Sequence, residues 1–131
     1  MRPFAEEIRA LMERAQQSLE AARTLAAEGY YDFAASRAYS GAFYAAKALL
    51  LNEGIELTKH SAVVAAIHQR LVKLGKLPPE QGQALSWLFE VRSIGDYGGT
   101  VHVSSKQAQQ ALQIAEQFRQ AAETLLLEQQ E

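Results

Sequence analysis

The chain has 131 residues, 48% of them apolar and 21% charged, which is enough to close one hydrophobic core and too little for two. Thirteen Lys and Arg against fifteen Asp and Glu give a formal net charge of −2, so it lacks the positive field that non-specific duplex-DNA binding or an anionic membrane surface favours. The absence of cysteine excludes a disulfide framework, a thiolate nucleophile and a cysteine-held metal. The charged opening segment, Met1 to Ala10, does not read as a signal peptide, and no apolar run approaches the roughly 20 residues of a membrane span. One soluble, cytoplasmic domain over residues 1–131 is the expectation.

Phe4, Ile8, Leu11, Ala15, Leu19, Ala22, Leu25 and Ala26 recur at steps of three and four with charged residues between them, the pattern of an amphipathic helix. Pro3 suits its first turn and Gly29 its stop, which predicts a helix over about 4–28. The second helix, about 31–53, carries small residues on most of its surface: Ala34, Ala35, Ala38, Gly41, Ala42, Ala45, Ala46 and Ala48. Tyr31, Phe33, Tyr39, Phe43 and Tyr44 are interleaved with them, so large rings fill space beside points of close backbone approach. Such a helix is buried on several sides.

Ser61 is the expected cap of a third, short helix bearing Val64, Ile67, His68, Leu71 and Val72, with Gly75 after its last turn. Pro79 opens a fourth helix, about 79–93, whose inward residues are Leu85, Leu88 and Phe89. Three glycines in the five positions 95–99 argue for a turn there. Ser104 and Gln107 form a capping-box pattern at the start of the last helix, whose inward stripe runs Ala108, Ala111, Leu112, Ala115, Phe118, Ala122, Leu125 and Leu126. The fold class is all-α, an up-and-down bundle of four to five helices.

The fourth helix holds the most informative local conflict. Arg92 continues the stripe of Leu85, Leu88 and Phe89, which carries a guanidinium toward the apolar face, where it needs a partner. Asp96, four positions on, is within reach if the helix persists, although acid after base is the weaker order. Arg92 and Asp96 then form either a structural ion pair closing the helix or part of a cleft in which Arg92, with Tyr97 beside it, grips a phosphate through its two-pronged fork. On the second helix Arg37, Tyr44 and Lys47 could join a nucleotide pocket, or Arg37 and Lys47 could simply reach solvent from the rim of a packed helix. His60 is expected to hydrogen-bond near the third helix N-terminus. No metal site is expected, because His60, His68 and His102 lack a helical i, i+4 pairing and a nearby acidic cluster. Nothing in the chain calls for a cofactor.

The run Gly29-Tyr30-Tyr31-Asp32-Phe33-Ala34, the aromatic-alanine stretch Ser36 to Leu50, then Gly54-Ile55, His60-Ser61 and Arg92-Ser93-Ile94-Gly95-Asp96-Tyr97 together resemble a prokaryotic HEPN domain. The likeness covers nearly the entire chain. It implies a helical bundle that usually forms a homodimer, encoded beside a minimal nucleotidyltransferase in modules of toxin-antitoxin type, and engaging a nucleotide, an RNA or a nucleotide-bearing partner. Many members of the wider family are metal-independent ribonucleases in which an Arg is followed, after four to six residues, by a His that moves the proton. Here those positions are Tyr97 to Gly99, and His102 follows nine intervening residues. Arg92, Asp96, Tyr97 and His102 are the candidates for a catalytic role if this chain cleaves RNA. A non-catalytic dimeric scaffold is the further alternative. The resemblance also offers Tyr97 as an acceptor for nucleotides transferred by the partner enzyme, against the plainer expectation of a ring packed under the last loop.

Overall fold

The computed structural model describes residues 3–129. The expectation of one domain over 1–131 includes residues 1, 2, 130 and 131, which lie outside the described residues. Five α-helices are present, α1 (Ala5–Ala27), α2 (Tyr31–Asn52), α3 (His60–Ile67), α4 (Pro79–Tyr97) and α5 (Ser105–Glu128), and no strand occurs among the described residues. None of these helices is long and apolar enough to cross a membrane.

The small residues of α2 let it touch each of the other helices. Gly41 marks the closest approach: a Cβ there would lie 2.8 Å from the Leu19 side chain of α1, so α1 and α2 pack nearly backbone to backbone. The reversal between them is made by Gly29, which takes the left-handed φ of 87° that costs glycine nothing. At the far end of α2, Asn52 hydrogen-bonds Gln129 beyond α5, while at its start Asp32 accepts from the Val103 N–H just before α5. Helices α2 and α5 therefore run in the same direction, with α1 and α4 against them, as in an up-and-down bundle. Tyr39, Leu49, Leu50, Leu85, Leu88 and Phe118 are among the fully buried residues of the main core.

The α5 cap is the expected one, with the Gln107 N–H donating to Ser104 Oγ and the Ser104 N–H to Gln107 Oε1. Two expectations need correction. Ser61 does not cap α3; the cap position is Lys59 and His60 is already helical, so the imidazole is carried on the helix rather than on the connector. The glycines after Ser93 do not end α4, which continues through Gly95 to Tyr97. Gly95 serves there as a packing surface: a Cβ would lie 2.6 Å from the Asp32 carbonyl oxygen of α2. A further difference is that α3 widens into a π-wound turn, His68–Val72, against which Gly82 lies without a Cβ to collide with the His68 ring and Val72.

Candidate functional site

The extra helical turn of α4 positions its cation. Because the helix persists past Ser93, Asp96 falls one turn below Arg92, and Arg92 Nε lies 2.8 Å from Asp96 Oδ2. Their side chains are 22% and 25% exposed, so the pair is neither sealed nor free. The guanidinium carbon lies 5.7 Å from the ring centre of Tyr39 on α2 and 5.7 Å from that of Tyr97, within the range at which a ring quadrupole attracts a cation. Tyr39 is fully buried, whereas Tyr97 is 75% exposed and does not pack under the following loop. Asp96 is the only carboxylate paired with Arg92 among the described residues.

The Tyr39 hydroxyl leads to a histidine that the sequence reading set aside. Tyr39 Oη and His60 Nδ1 share a 2.8 Å hydrogen bond, and the imidazole lies nearly parallel to the Phe43 ring at 4.1 Å. Lys47 Nζ stands 5.8 Å from the same Phe43 ring centre. Tyr39, Phe43 and Lys47 follow one another at steps of four on α2, so one helical stripe leads from Arg92 past His60 to a second cation. Burial pushes the Tyr39 phenol well above its usual range, outweighing the opposing pull of Arg92. Burial also lowers the pKa of His60, and the charges of Arg92 and Lys47 lower it further. Both effects favour the neutral imidazole.

The remaining candidates are dispersed. His102 is 69% exposed, with Nδ1 2.7 Å from Asp32 Oδ2, so the loop histidine is held at the start of α2. Burial favours the neutral Asp32 carboxyl, but its bonds with His102 and the Val103 N–H prevail and leave its pKa below 3.8. Arg37 and Tyr44 line a cavity of about 280 Å³ against Arg14, Gln17 and Ser18 of α1. Lys47 also borders an apolar cavity of about 460 Å³ with Leu50, Leu51, Ile55 and Leu57. Arg92, Asp96 and Tyr97 thus come together, Lys47 joins them through the aromatic stripe, and Arg37, Tyr44 and His102 belong to other surfaces. Sequence reasoning missed Tyr39 and His60 as neighbours of Arg92. The four-residue spacing of Tyr39, Phe43 and Lys47 marks one face of α2, but no signal in the sequence joins that face to His60 or Arg92.

The family model for the HEPN domain matches residues 8–125. A protein of Gloeobacter violaceus named "UPF0332 protein glr0978" is 40% identical over 113 residues, covering 86% of this chain and 90% of the relative. A "UPF0332 protein" of Thermotoga maritima is 36% identical, covering 86% of both chains. A Methanocaldococcus jannaschii protein named "Putative toxin MJ0142" is 34% identical over 109 residues, covering 83% of this chain and 74% of the relative.

Proposed function

Because the chain belongs to the HEPN family, we propose that it is the nucleotide- or partner-engaging half of a toxin-antitoxin-like pair, and that it grips a phosphate at Arg92. Asp96 fixes the guanidinium and exposed Tyr97 offers a face on which a base can stack. The relatives named as toxins support the toxin-like setting. The partner proposed from the family resemblance is a minimal nucleotidyltransferase, with the chain itself a homodimer.

One observation carries this reading. Arg92 lies between a buried ring and an exposed one, partly open, with a single carboxylate partner, an arrangement that leaves fork geometry for an anion. The ribonuclease alternative at His102 would require that side chain to leave Asp32. Titrating ATP and related nucleotides into wild type and Arg92→Ala, with unfolding followed in parallel, tests the proposal. The expected result is at least a tenfold loss of affinity, about 1.4 kcal/mol, in a variant that remains folded. Wild type that binds no nucleotide, or a variant that binds as tightly, overturns it.

A further inference from the structure

Resting on the Arg92 reading, we infer that Lys47, His60 and Arg92 form one seat for a dianionic terminal phosphate, and that the seat takes up a proton at His60 as it fills. Three helices deliver these groups. Lys47 comes from α2, Arg92 from α4, and His60 is the first residue of α3. Phe43 lies against both Lys47 and His60, and Tyr39 against both Arg92 and His60. Each ring thus links the imidazole to one of the cations, and the charges of both reach it.

Such convergence is unfavourable without a counter-charge. Asp96 pairs with Arg92, while no carboxylate pairs with Lys47 among the described residues. Glu7 and Glu56 share the neighbouring apolar cavity with Lys47 without forming an ion pair with it. The cations acting on the imidazole are Arg92 and Lys47; Lys59, its chain neighbour, is outside this set. With the imidazole neutral, Lys47, Arg92 and Asp96 leave one net positive charge, and protonation of His60 makes it two. A phosphodiester carries one negative charge and balances the neutral seat. A terminal phosphate carries two, and its match is the protonated one.

The hydrogen bonding allows the change. A hydroxyl both donates and accepts, so Tyr39 can donate to Nδ1 of the neutral ring and accept from Nδ1–H of the imidazolium. In either state Nε2–H can serve the anion. The charges of Arg92 and Lys47, which help to keep the empty imidazole neutral, are offset once an anion sits between them.

Sulfate is a suitable probe because it is a tetrahedral dianion throughout the pH range in which imidazole titrates. The His60 ring resonances are followed by NMR from pH 5 to 8 in sulfate and in chloride of matched ionic strength. Sulfate is expected to raise the His60 pKa by about one unit, tenfold in proton affinity, in wild type but in neither Lys47→Gln nor Arg92→Ala. Identical titrations in the two salts overturn the inference, and so does a shift that survives either substitution. If ATP binding depends on Arg92 while the His60 titration ignores sulfate, the seat fails and the Arg92 reading stands. If ATP does not bind either, both fail.

Discussion

Two arginines of this bundle, both mostly buried, differ in whether their charge is closed. Arg119 of α5, 14% exposed, donates through Nε and Nη2 to Glu116 and through Nη1 to Glu123, and Arg23 of α1 adds a longer contact to Glu116. The bond from Arg119 draws the Glu116 carboxyl below its usual pKa, and the same bond raises that of Arg119. This network neutralises itself and needs nothing from outside. Arg92 has one carboxylate, two rings, and further positive charge at Lys47. Burial does not separate the two cases; the count of opposing charges does.

The largest effect expected is from Gly95→Val. Its side chain would meet the Asp32 carbonyl oxygen, backbone that cannot swing aside, so α4 must leave α2. A loss of about 2–4 kcal/mol in chemical denaturation is expected, in line with severe overpacking, together with loss of the sulfate response at His60. The Glu116–Arg119 network is far from that seam in sequence and should retain its low carboxyl pKa in the folded fraction. Unchanged stability would mean that the α2–α4 approach is looser than described.

A smaller effect separates the arginines themselves. Arg119→Ala should cost about 1–2 kcal/mol, more than an isolated surface pair, because two carboxylates are left facing each other and Arg23 alone. It should leave nucleotide affinity unchanged. Arg92→Ala should cost about 1 kcal/mol, since one i, i+4 pair in the weaker order and two ring contacts are lost, and nucleotide affinity should fall. Denaturation and nucleotide titration on the same two variants check both halves, and the reverse assignment would erase the distinction.

The legibility of the two regions in the sequence follows from chain distance. The α5 contacts at steps of three and four, its capping box and its apolar stripe are local, and helical periodicity displays them. The Arg92–Asp96 spacing was visible for the same reason, but whether the helix reached Asp96 was not. Gly95 reads as a turn residue in a glycine-rich stretch, and only its contact with Asp32, 63 positions away, reveals a packing glycine. His60 and Tyr39 are 21 residues apart and lie on different helices, so no periodicity joins them. The π-wound turn was equally invisible, since its fit to Gly82 is made across a connector.

The smallest effect is the dependence of stability on pH, and it distinguishes the regions by where acid acts. A histidine whose folded pKa lies below the unfolded value of 6.5 binds its proton more readily in the unfolded chain. The stability this group supports is present above pH 6.5 and declines as pH falls from there toward the folded pKa. The carboxyls behave differently: Glu116 and Asp32 have folded pKa values below 4.5 and 3.8, so their contributions are present above those values and are lost only on further acidification. Denaturation midpoints taken from pH 7.5 to 5 should therefore show a modest decline that His60→Gln removes and Glu116→Gln does not. In the lower window the dependence on these variants should be reversed. Sulfate should flatten the upper decline in wild type, because an anion in the seat favours the protonated imidazole of the folded state. A decline that persists in His60→Gln would place the titrating group elsewhere.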